Sequence, residues 1–233
     1  MNLITEPYLS QNARWPRSGR HILAQFDADS VVIYLAYRPE IGHFAARNGY
    51  FGGEFSLSRM SWVKPNFLWM MYRSGWGTKE GQEVTLAVRL RRHAFNEILR
   101  LAVHSSFTPE VYGTQEEWRR AVAGSDVRLQ WDPDHGPAGN PLERRAIQLG
   151  LRGDVLARYA REWLLGVEVI SDFVAEQREN AKAPYERLVT PREEVYPVAD
   201  PLVVNRLGVI RSGQSPGTRI LMRQEAIHES RDT

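Results

Sequence analysis

Apolar and polar positions alternate or recur along most of the chain, and their periods predict a succession of short strands and helices. His21 to Asp27 and Val31 to Arg38 are β-branched and aromatic runs flanking Asp29-Ser30, the pattern of a hairpin that Pro39 terminates. Ile41, Phe44 and Ala45 with Gly49 close behind predict a short helix over 40–50. Phe55 to Lys64 alternates with a period of two and predicts a strand, although both of its faces carry polar groups. Pro65 suits the first position of a helix that Gly75 closes. A strand over 84–92, a helix over 94–103, a brief helix over 116–123 and a strand over 127–131 follow, the last running into a turn of residues 132–141.

Arg145 to Leu151 fits either a last strand or the start of a helix, and Gly150 and Gly153 flanking it favour the strand. On such a strand Arg144, Ala146 and Gln148 share one face, and Arg145, Ile147 and Leu149 the other. From Asp154 to Asn180 the stripe Val155, Tyr159, Trp163, Val167, Ile170 and Val174 predicts the longest helix. Beyond it prolines recur, residues 203–210 look extended, and the charged end from Glu225 is expected to fray. Residues 1–20 have no period and suggest an irregular leader anchored by Trp15. The expected organisation is that leader, one domain over 21–200 and a C-terminal extension over 201–233. The strands and helices together predict an α+β fold, a mixed and mainly antiparallel split sheet flanked by helices.

The 233 residues suffice for a substantial core. A net charge of +2 argues against a histone-like nucleic-acid binder. The absence of cysteine removes disulfides, thiolate nucleophiles and zinc ribbons. The first twenty residues lack the regions of a secretory signal, and no apolar run reaches 18 residues, so a cytoplasmic protein without a membrane partner is expected.

Arg59 to Gln82 is the densest chemical segment, with three of the seven tryptophans and three of the five methionines among its cations. Arg59, Lys64 and Arg73 are candidates to hold phosphates. Trp62, Trp69, Tyr72 and Trp76 offer a wall for a base or nicotinamide ring, where stacking contributes about 1–3 kcal/mol per base. Tryptophan and methionine at helical spacing also describe an ordinary core. The run Ser74 to Gly81 lacks the ending of a phosphate loop, and Lys79 within it suits either phosphate contact or a solvated loop. Asp132, Asp134 and His135 have residue types suited to acid/base or metal chemistry, yet their proline spacing reads more readily as a capped turn. The six histidines form no paired metal motif and no serine-nucleophile elbow occurs, so no metal is expected.

The stretches GRHILAQFD, VVIYLAYRPEIGHFA, RMSWVKPNFLWMMYRSGWGTKEGQE, DVRLQWDPDH and LERRAIQLGLRG resemble the family catalogued as domain of unknown function 4291, over roughly residues 14–200. The order of elements is also similar to the core of ADP-ribosyltransferases. That second resemblance implies NAD as the bound group, with Tyr37 or Arg38 toward NAD and Arg59, Ser61 and Trp62 near the nicotinamide ribose. It places the catalytic acid on a late strand, where this chain has Gln148, or at Glu143. The function it implies is an NAD- or nucleotide-dependent transferase with an RNA or protein acceptor. The alternative is a non-catalytic RNA- or nucleotide-binding domain using the same arginine and tryptophan platform.

Overall fold

The computed structural model describes residues 3–210. The segment read as a leader is ordered: β1 (Thr5–Pro7), α1 (Tyr8–Arg14) and β2 (Gly19–Arg20) precede the first hairpin. Tyr8 and Gln11 are buried by α1, and the Trp15 indole donates to the Glu193 carbonyl at 2.8 Å, so Trp15 is an anchor as expected.

In the hairpin, β3 (Leu23–Ala24) and β4 (Ser30–Tyr37) flank a turn held by Asp27, whose Oδ1 accepts from the backbone of Asp29 and Ser30. Pro39 opens α2 (Pro39–Asn48). The strand expected over 55–64 shrinks to β5 (Ser61–Val63), since only these residues pair with residues 149–151, and Lys64 forms an isolated bridge to Tyr34. Residues 52–60 form a loop, with only Phe55 tucked into the core. Asn66, rather than Pro65, starts α3 (Phe67–Ser74) by accepting the Trp69 amide at 2.7 Å, and Gly75 ends it at φ 58°, a left-handed conformation favouring glycine.

In the middle of the chain β6 (Val84–Arg91), α4 (Arg92–Leu101) and α6 (Gln115–Ala123), behind a Thr114/Glu117 capping box, appear as expected, while β7 (Val103–His104) and α5 (Pro109–Tyr112) between α4 and α6 are unexpected. Next come β8 (Val127–His135) and β9 (Pro141–Leu151). Asp132 to His135 thus belong to a strand and not to a turn. The single long helix expected over 154–180 is instead α7 (Gly153–Arg161), β10 (Leu164–Val169) and α8 (Ser171–Asn180). Here the free edge of β6 takes Val167 and Val169 opposite Val88 and Leu86, and a glycine followed by two β-branched valines suits a strand better than a helix. After β11 (Val189–Pro191) and β12 (Glu194–Val195), the segment expected to be extended forms α9 (Pro201–Leu207), because Asp200 caps the Leu202 amide. The charged end from Glu225 lies outside the described residues.

The fold is α+β with mixed sheets. One sheet has the order β10-β6-β4, all antiparallel; the other runs β2-β9-β8-β7, with β5 against β9 and parallel pairs at β2/β9 and β7/β8. The short pairs β1/β11 and β3/β12 fasten the chain ends. An isolated bridge links the two main sheets where the Tyr34 amide donates to the Lys64 carbonyl at 2.7 Å. Ile33, Leu35 and Val88 from the first sheet share one apolar cluster with Leu129, Ile147 and Leu149 from the second, and α4 and α7 pack into it. The opposite face of the first sheet, Val32, Tyr34 and Ala87, is covered by Phe67, Met71 and other apolar residues. The opposite face of the second sheet is polar.

Candidate functional site

Strand alternation decides which residues line that polar face. Trp62 pairs with Gly150, which pairs with Arg128, and Gln148 pairs with Gln130. Lys64 follows β5, two residues beyond Trp62 and within electrostatic reach of Asp132, which stands opposite Ala146. Leu129, Ile147, Leu149 and Leu151 point the other way into the core. Gly150 is a requirement of this surface: a methyl group there would lie 2.5 Å from Met60 Sδ and 3.1 Å from the Trp62 ring, so both side chains lie across the glycine.

Lys64 is 6% exposed, and among the described residues no carboxylate lies within ion-pair distance of it. Its Nζ donates only to the Trp62 carbonyl, at a long 3.4 Å. Burial, and then the Arg73 guanidinium, bring its ammonium down to about 8, while Asp132 pulls the other way. Asp132 is half-buried, and desolvation raises its carboxyl above the ordinary aspartate value. Gln148 Nε2 donates to Asp132 Oδ2 at 2.7 Å and to Gln130 Oε1 at 3.1 Å. That bond favours the ionised carboxylate, as do Arg73, Lys64 and Arg145. The face therefore holds a carboxylate fixed by an amide, a buried amine with no carboxylate in direct contact, and an exposed arginine at the end of α3.

Rings from α3 and β8 form the adjoining wall. The Tyr72 and His135 ring centroids are 3.5 Å apart at 13°, and Trp69 stacks on both at 5.5 and 5.3 Å. The Arg73 guanidinium lies 6.0 Å from the Trp69 ring centre. His135 Nδ1 donates to the Pro133 carbonyl at 2.9 Å, which in the neutral ring leaves Nε2 as the acceptor.

Of the residues singled out in the sequence, Lys64, Arg73 and Gln148 thus come together around Asp132, with Trp62 over Gly150 and Trp69 in the ring stack beside Arg73. Tyr37 and Ser61 do not join them. The Tyr37 hydroxyl and Ser61 Oγ bond to each other at 2.5 Å on the core side of β5, and burial pushes the Tyr37 phenol up to about 12. Arg38 pairs with Glu54 and, at 3.9 Å, with Glu40. Arg59 is exposed in the loop before β5, and Glu143 is exposed near the start of β9. Trp76 packs edge-on against Phe67. Lys79 Nζ donates to the Arg73 carbonyl at 2.7 Å, fastening the end of α3.

Sequence reasoning did not single out Asp132 as the acid of this face, nor Glu193 as a buried group. Glu193 accepts the Phe67 amide at 2.6 Å and Asn66 Nδ2 at 3.1 Å, and burial holds its carboxyl well above the usual range. Nearby, Asp134 Oδ2 accepts from Arg144 at 2.7 Å, while Arg144 also donates to the Pro16 carbonyl and lies over Trp15. Arg144 shares the face of Gln148 as its spacing implied, but it serves the framework. Glu193 was illegible because the 127-residue separation from Asn66 leaves no local pattern.

Two shallow hollows lie elsewhere: about 390 Å³ between α4 and the start of α9, and about 260 Å³ beside Leu3, Glu168 and Phe173. Neither is lined by the polar cluster, whose claim rests on its chemistry. Among the described residues no cluster of three or more histidines and carboxylates is arranged to hold a metal ion, and no helix is long and apolar enough to cross a membrane. No curated protein matches the chain. The family described as Domain of unknown function (DUF4291) matches residues 21–196, most of the chain, and the protein belongs to that family.

Proposed function

We propose that the polar face of the second sheet is the site of an NAD- or nucleotide-dependent transferase similar in plan to ADP-ribosyltransferases. The observation that carries this reading is the buried Lys64 ammonium, held beside Arg73 with no carboxylate in ion-pair contact among the described residues. Two neighbouring cations of which one is buried are a costly arrangement for the empty protein, and a bound phosphate offsets the cost. Lys64 and Arg73 hold the phosphates in this reading, and Trp62 with the Trp69–Tyr72–His135 stack gives a flat ring its wall.

NAD as substrate supplies an activated bond between ribose and nicotinamide, whose breaking develops positive charge on the sugar. Asp132 is the carboxylate available to stabilise that charge, and Gln148 positions it. This arrangement moves the acid from the late strand, where Gln148 stands, to the neighbouring β8.

Thermal denaturation with NAD, ADP-ribose, ATP or a short RNA tests the reading. At a hundred times Kd a ligand stabilises by about 2.7 kcal/mol, roughly 5–10 °C for a chain of this size. The expected result is such a rise with NAD or ADP-ribose, lost in Lys64→Met and Arg73→Gln, with Asp132→Asn retaining binding and losing nicotinamide release. A response to RNA alone, or silence from every nucleotide, overturns it.

A further inference from the structure

We propose that Lys64 is a nucleophile that captures the open-chain aldehyde of a phosphorylated ribose as an imine, making sugar-phosphate aldehydes a substrate class of this site. The proposal rests on the reading above only for the placement of the phosphate at Arg73.

Residue choice is the first argument. Of 30 basic side chains only three are lysines, Lys64, Lys79 and Lys182. Arginine serves nearly all of this chain's cationic positions, including the buried Arg144, yet the buried cation on the polar face is the one type able to shed its proton. Lys79 and Lys182 are exposed and engaged, with the Arg73 carbonyl and with Glu179 respectively. Lys64 alone is buried, without a carboxylate in contact.

Its surroundings are the second argument. Desolvation and a neighbouring cation are the two conditions that turn a lysine into an amine nucleophile, and burial and Arg73 supply both. With its proton held at about 8, roughly one Lys64 in four is the free amine at pH 7.5, against about one in a thousand for an ordinary lysine. Asp132, its carboxyl raised by burial, is the proton carrier on the same face.

The chemistry balances. The Nζ lone pair adds to the aldehyde carbon, and the carbonyl electron pair moves to oxygen. The Asp132 carboxylate takes one Nζ proton and passes it to that oxygen, giving a carbinolamine. It then takes the second Nζ proton and passes it to the hydroxyl, which leaves as water while the nitrogen lone pair forms the C=N bond, so Asp132 ends as it began. The products are one imine and one water, with no oxidant or reductant consumed.

The test incubates the full chain with ribose 5-phosphate, or with ADP-ribose, in the presence of cyanoborohydride, which reduces the C=N bond to a stable secondary amine. Peptide mass mapping then compares the three lysines. The expected result is labelling of Lys64 faster than Lys79 or Lys182 by at least roughly tenfold, with a rate that rises to a plateau above about pH 8. Ribose without phosphate should label it much more slowly. Lys64→Arg keeps the charge and should lose the adduct, and a melting temperature near that of the parent shows that folding is intact. Labelling confined to Lys79 and Lys182 overturns the proposal even when NAD or ATP still raises the melting temperature. Labelling of Lys64 with no thermal response to any nucleotide upholds the imine and overturns the transferase reading alone.

Discussion

Lys64 costs the folded protein free energy whenever it is charged. Its proton affinity falls from 10.5 to about 8 on folding, and each factor of ten corresponds to roughly 1.4 kcal/mol, so the cost at neutral pH is about 3 kcal/mol. The folded value is the lower one. Between about pH 8 and 10.5 the unfolded chain therefore binds more protons than the folded one, and this group's contribution to stability improves as pH rises through that window. Lys64→Met keeps an unbranched side chain of similar length without the charge. It is expected to raise stability by up to about 3 kcal/mol at pH 7, an advantage that fades by about pH 10.5, as urea titrations at several pH values will read. An unchanged or lowered midpoint at pH 7 would mean that Lys64 is paid for by a partner. At this scale the sequence was half legible. The interleaving of cations with aromatics pointed to Lys64, Arg73 and Trp62, and the period of two put Gln148 on a polar face. Asp132 was hidden because its proline neighbours read as a turn, and only pairing with β9 turns it toward Gln148.

Between elements, the fixed point is where α3, β8 and β9 meet the N-terminal arm. Asn66 and Glu193 occupy the first amides of α3, and α3 carries Trp69, Tyr72 and Arg73 toward the polar face. The Arg144–Asp134 pair, 3% and 1% exposed as residues, holds the far end of the β8/β9 hairpin against Pro16 and Trp15. Breaking a buried pair leaves an uncompensated charge, so Arg144→Met is expected to cost about 3–5 kcal/mol in equilibrium unfolding. The double variant with Asp134→Leu should recover part of that loss, since it leaves neither charge behind, and a double variant weaker than either single one would assign the loss to packing over Trp15 instead. Elements with strong local signals were read correctly: α2, α4, α6, β6 and β9. Those decided by distant partners were not. The 154–180 helix breaks because β6 has a free edge for Leu164–Val169, and the strand before Ser61 never forms because nothing pairs with it.

Across the whole molecule, the two main sheets meet through one backbone bridge, yet they share a single apolar cluster. Two sheets joined only by hydrogen bonds would melt separately, whereas a common core makes each sheet's apolar face depend on the other. The protein is therefore expected to unfold in one transition. Leu149 is fully buried on β9, with Ile33 and Val88 of the first sheet in the same cluster. Leu149→Ala should cost about 2–5 kcal/mol, lowering the melting temperature by roughly 5–15 °C. The discriminating measurement is the coincidence of signals. Tryptophan fluorescence, read in a background with Trp76, Trp118, Trp131 and Trp163 replaced by phenylalanine because Trp131 and Trp163 belong to the shared core, reports on the polar face and the N-terminal anchor through Trp62, Trp69 and Trp15, while far-ultraviolet circular dichroism reports on both sheets. If the shared core governs stability, both signals shift together in Leu149→Ala. If fluorescence moves first, the polar face and its α3 wall form a separate cooperative unit, and the chemistry around Lys64 sits on a part of the fold that opens independently of the core beneath it.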